Sequence, residues 1–84
     1  MDQGRANLIE ALAERLGVPS LGEKEIEAVL SLAAVAAHGT GDRTAAPVAS
    51  FLAGLAAAGS PDRTAELDRV RRLAAEIAPA PNED

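Results

Sequence analysis

Between residues 28 and 59 the chain carries only two formal charges, Asp42 and Arg43, although Asp, Glu, Lys and Arg supply 25% of its 84 residues. An uncharged central third constrains the fold more than any other feature. Its apolar runs, 28–37 and 45–58, are each shorter than the roughly 20 residues a bilayer requires, and a polar glycine-containing loop separates them, so no membrane span is expected. The filling material is thin: counting along the sequence gives 20 alanines and 10 leucines, against one Phe, one Met and no Trp or Tyr. Such side chains form a core only when helices approach closely. The charges lie outside this middle. Six acids and three bases fall in the first 27 residues, and six acids and four bases in the last 25. A net charge of −5 argues against nucleic acid, whose phosphates need clustered Lys and Arg. The absence of cysteine removes disulfides, thiolate metal sites and cysteine nucleophiles.

The periodicity predicts four helices, at about 5–16, 23–38, 45–58 and 61–78, in a compact antiparallel all-α bundle. Leu8, Leu12 and Leu16 recur at i, i+4 in the first helix, and Gly17 followed by Pro19 stops it. Ser20 with Glu23 reads as a capping box for the second helix, which continues through Ile26, Val29, Leu30, Ala33 and Ala36-Ala37 to His38 and is ended by Gly39. Thr44 is the expected cap of the third helix, with Pro47 in its first turn and Val48, Phe51, Leu52 and Leu55 as its core face. In the fourth, Leu67, Val70, Ala74 and Ile77 point inward. Arg63, Arg69, Arg71 and Arg72 point mostly outward, with Asp68–Arg72 and Arg72–Glu76 as ion pairs one turn apart. Residues 1–78 make one domain, and 79–84 read as a disordered tail. The first residues lack the basic-then-apolar layout of a secretory signal, so a cytoplasmic setting is expected.

Two places stand out as candidate sites. Ser50 is the one polar side chain between Ala45 and Ala58, and a helix apolar on all sides is normally buried. Ser50, Gly54 and Ala58 align as a strip of small residues that permits close helix approach. With Phe51 and Leu55 they form a candidate interface for a protein partner or a second copy, meeting it through helices two and three. The second place is the loop His38–Thr44. His38 at a helix C-terminus reads first as a cap. Alternatively His38, Gly39, Gly41, Arg43 and Thr44 frame a small anion site at the start of helix three. The Gly-Thr-Gly triplet lacks the strand and third glycine of a dinucleotide fold and the lysine of a P-loop. One histidine is too few for zinc, and no carboxylate pair stands beside a base. No catalytic residue, metal or cofactor is assigned. A carrier protein is a weaker alternative: Ser20-Leu21 precedes helix two, but Pro19 stands where a carrier's motif has Asp.

The run Ala33-Ala34-Val35-Ala36-Ala37-His38-Gly39, followed by Arg43-Thr44-Ala45-Ala46-Pro47 and then Phe51-Leu52-Ala53-Gly54, resembles a small actinobacterial helical family of unknown function. Its members often carry the label of a molybdopterin-guanine dinucleotide biosynthesis protein. His38, Arg43, Pro47, Phe51 and Gly54 match that pattern, and Thr40-Gly41-Asp42 departs from it. The resemblance implies an association with molybdenum-cofactor maturation and supplies no catalytic residue. The reading is a non-enzymatic accessory or protein-interaction domain. The alternative is a small anion or ligand binder that uses the His38–Arg43 loop.

Overall fold

The computed structural model describes residues 3–78; the expected tail, 79–84, lies outside them. The fold is all-α: α1 (Gln3–Leu16), α2 (Glu23–Thr40), α3 (Ala45–Ala58) and α4 (Arg63–Ile77), with no strand among the described residues.

Each helix end has a chemical cause. Gly17 stops α1 at φ 71°, and the Val18 N–H reaches back to the Ala13 carbonyl at 3.0 Å, the bond of a Schellman turn. The cap of α2 is Gly22, not Ser20, and the Gly22 N–H donates to Glu25 Oε1 at 3.0 Å. Glu25 thus takes the role expected of Glu23. At its other end α2 runs two residues past His38. Thr40 Oγ1 donates to the Ala36 carbonyl at 2.8 Å, and Gly41, at φ 73°, closes the helix with its N–H on Ala37 O. Gly39 is helical, and Gly41 is the left-handed stop. Asp62 caps α4, accepting from the Ala65 N–H at 3.1 Å, so that helix begins two residues later than the Pro61 signal suggests.

Contacts between elements fix the topology. Arg63, at the start of α4, pairs with Glu25 at the start of α2 at 2.6 Å. At the opposite end, Gly39 of α2 faces the Ala78 backbone that closes α4. Helices α2 and α4 therefore run side by side in the same direction, and α3 returns antiparallel to both. Close backbone packing is confined to these three; no Cα of α1 comes within 8 Å of a Cα of another helix. Instead α1 rests beside its own connection. Ile9, Leu12 and Ala13 face Val18, Pro19 and Leu21, and Ala6 and Ile9 approach Ser20, Glu23 and Ile26. Of its residues only Ala13 is buried.

The core is small and sits between α2, α3 and α4. Leu32, Ala53, Ala57 and Leu67 form its centre, with Ala28, Val29, Ala49, Val70 and Ala74 packed around them. Leu32 is the one large side chain with essentially no exposure, at 1%.

Candidate functional site

Helix α3 turns the opposite way from the expectation. Ala53, at 0% exposure, and Ala57 are buried, and Ala49 packs beside them. Val48, Phe51, Leu52 and Leu55, expected in the core, lie outside it, with Phe51 68% exposed. The reason is steric. Alanines at i, i+4 and i+8 let α3 lie close against α2 and α4 together, and bulkier side chains on that face would hold the helices apart. At 100° per residue the four large side chains then share one outward arc, on a helix with no charged residue. Ile77 of α4, also expected in the core, is 79% exposed. It stands with Val48 and Leu52 on the walls of a groove of about 350 Å³, floored by Ala36, Ala49 and Ala74.

The small-residue strip lies beside this arc. Ser50 is half-buried, whereas Gly54 and Ala58 are exposed. A Cβ added at Gly54 would meet nothing within 4 Å, so among the described residues no element uses the close approach the strip offers. Phe51 and Leu55, the other members of the expected interface, are the exposed large residues themselves.

The His38–Thr44 loop satisfies itself. Gly41 N–H is bound to the Ala37 carbonyl at 2.9 Å, Asp42 N–H to Thr40 Oγ1 at 3.1 Å and Thr44 N–H to Asp42 Oδ1 at 2.9 Å. Thr44 Oγ1 also donates to Asp42 Oδ1 at 2.7 Å. Thr44 thus stands at the N-cap of α3, as expected, but makes no side-chain cap bond; its hydroxyl is turned back onto Asp42, and the Ala45 amide goes to the Asp42 carbonyl at 2.9 Å. Thr44's hydroxyl, and after it the Thr44 amide, hold the Asp42 carboxyl below its usual range. An acidic group and three engaged amides occupy the segment read as a candidate anion site. His38, exposed, borders a separate groove of about 300 Å³ between α2 and α4, lined by Ser31, Ala34, Val35, Ala75 and Ala78. Arg43 does not line that groove. His38 and Arg43 are thus not brought to one pocket.

Along α4 the arginines form a solvated ionic face. Arg69 pairs with Glu66 at 2.6 Å, and Asp68 takes both Arg71 at 2.9 Å and Arg72 at 3.3 Å. These hydrogen bonds lower the Glu66 and Asp68 carboxyls and raise Arg69. Arg63 is the exception to the outward pattern. It is half-buried, bridging Glu25 and the Ser20 carbonyl, the latter at 3.2 Å. That bridge ties the α1–α2 connection to the start of α4, and no local spacing announces a pair 38 residues apart. The inward alanine stripe of α3, by contrast, was present in the sequence as Ala49, Ala53 and Ala57.

No group of three or more His, Cys, Asp or Glu positioned to hold a metal ion occurs among the described residues. None of the described helices is long and apolar enough to cross a membrane.

Fold and surface together define a small all-α domain with an uncharged helix face turned outward. The chain belongs to the family described as a domain of unknown function (DUF6457), whose profile matches residues 2–83. No curated protein and no solved structure matches it.

Proposed function

We propose that this chain is a non-enzymatic protein-interaction domain whose docking surface is the outward arc of α3, and that it serves molybdenum-cofactor maturation in the cytoplasm. The observation that carries the interaction reading is the inversion of α3, which buries alanine and exposes Val48, Phe51, Leu52 and Leu55. Burying one such side chain is worth about 1.5–3 kcal/mol. A helix that leaves four of them in water forgoes a large share of the stabilisation open to a domain this small. A contiguous apolar patch without charge is the usual mark of a surface that another protein covers. The cofactor setting rests on the resemblance carried by Ala33–Gly39, Arg43–Pro47 and Phe51–Gly54.

The test is affinity capture from the native host with the wild-type chain and with Phe51→Glu and Leu55→Glu. The wild-type chain is expected to retain a protein of molybdenum-cofactor maturation, and both variants to lose it while keeping wild-type helical circular dichroism. Equal capture by the variants would remove the α3 surface. Capture of partners unrelated to the cofactor would remove the setting and leave the surface.

A further inference from the structure

We infer that the groove on one side of the α3 surface, walled by Val48, Leu52 and Ile77, is covered by α1 of a second copy of this chain, each copy laying its α1 into the other's groove, while Phe51 and Leu55, which do not line it, stay open to the docking partner. The inference rests on the docking reading above and adds a second contact beside it. Among the described residues, two apolar faces are left largely open. Leu8, Leu12 and Leu16 of α1 are each at least half exposed, as are Val48, Leu52 and Ile77 on the walls of the α3–α4 groove. The two faces suit one another. Both α1 and α3 are 14 residues long, about 21 Å each. A row of leucines at i, i+4 is the ridge that packs into a groove floored by alanines. Glu10 and Glu14 fall on the side of α1 away from the leucines at 100° per residue, whereas Arg5 and Arg15 fall on the leucine side; α3 carries no charge to oppose either arginine, and their aliphatic stems can lie along apolar surface with the guanidinium in water.

Within one copy the two faces do not meet. Arg63 holds the Ser20 carbonyl and Glu25, which keeps α1 at the Glu25 end of the bundle. The groove lies toward the Thr40–Ala45 end, and its nearest residue on α2, Ala36, is about 16 Å along the helix from Glu25. A second copy supplies what the first cannot reach. Exchange in both directions closes the assembly as a twofold dimer instead of an open chain. Two reciprocal contacts double the area that either alone would bury, toward the roughly 1,600 Å² of a standard stable interface.

The chain has no cysteine, so introduced thiols report on this contact alone. Isotope-labelled Leu12→Cys is mixed with unlabelled Leu52→Cys under mild oxidation, and the products are weighed by mass spectrometry. The expected product is the mixed covalent pair, in excess of either self-pair. In parallel, Leu12→Glu and Leu52→Glu are expected to weaken self-association at least tenfold each in sedimentation. Their equimolar mixture should recover dimer, because one intact arm-and-groove contact survives in it. Three results would overturn the inference: a wild-type chain that stays monomeric at millimolar concentration, a Leu52–Leu52 pair as the main product, or a monomeric Leu12→Cys/Leu52→Cys chain that closes on itself. A monomeric chain whose Phe51→Glu variant still loses its host partner removes the second copy and leaves the docking reading intact.

Discussion

At Gly39 and Gly54 the same substitution has opposite consequences. Both glycines lie inside helices, where alanine is ordinarily favoured by about 1 kcal/mol. Around Gly54 there is open space, so Gly54→Ala should gain close to that amount. At Gly39 a Cβ would run into the Ala78 carbonyl oxygen and stand 3.0 Å from the Ala78 carbonyl carbon and Cβ. The obstacle is backbone at the close of α4, not the far end of a flexible side chain. Overpacking of this kind costs about 1–3 kcal/mol, which exceeds the propensity gain, and Gly39→Ala should lose stability on balance. Urea denaturation of the two variants checks the pair of signs; a stabilised Gly39→Ala would mean that α2 and α4 do not meet there.

The start of α3 ties an element to its pH response. Asp42 gathers the Thr44 hydroxyl and amide, which hold its carboxyl below the ordinary value of 3.8. A carboxyl depressed on folding stabilises the fold fully above its unfolded value, and the contribution is lost as pH falls through the lower, folded one. Removing the hydroxyl in Thr44→Val should move the Asp42 carboxyl up toward its ordinary value in a carboxyl-carbon NMR titration. An unchanged midpoint would show that the hydroxyl does not hold it. Helices were the part of the molecule most legible in the sequence, because periodicity and glycine stops are local. The end of α2 was misplaced, since two glycines competed for the stop and only the Thr40–Ala36 bond favours the second. The outward face of α3 was misread for a different reason. Size alone ranks Val48, Phe51, Leu52 and Leu55 as core, whereas the distance between helices, which selects Ala49, Ala53 and Ala57, is a property of the assembled bundle. Phe51 and Leu55 were nevertheless singled out for an interface, because a helix without charges has more apolar surface than its neighbours can cover.

On the scale of the whole molecule, three helices share a core of few large side chains, and α1 rests on its own connection with its leucines largely in water. Leu32 and Leu67 are the large buried residues among those described, and a domain of this size gains little from such a centre alone. The central claim is that α3 presents its large side chains outward for another chain to cover. Phe51 is the one aromatic residue in a chain without Trp or Tyr, so Phe51→Trp places a lone fluorophore on that arc. Its emission should be red and open to acrylamide quenching at the lowest concentrations. When another chain covers the face, it should shift to the blue and become protected. Blue, protected emission from a species that sediments as a monomer would place position 51 in the core and contradict the account.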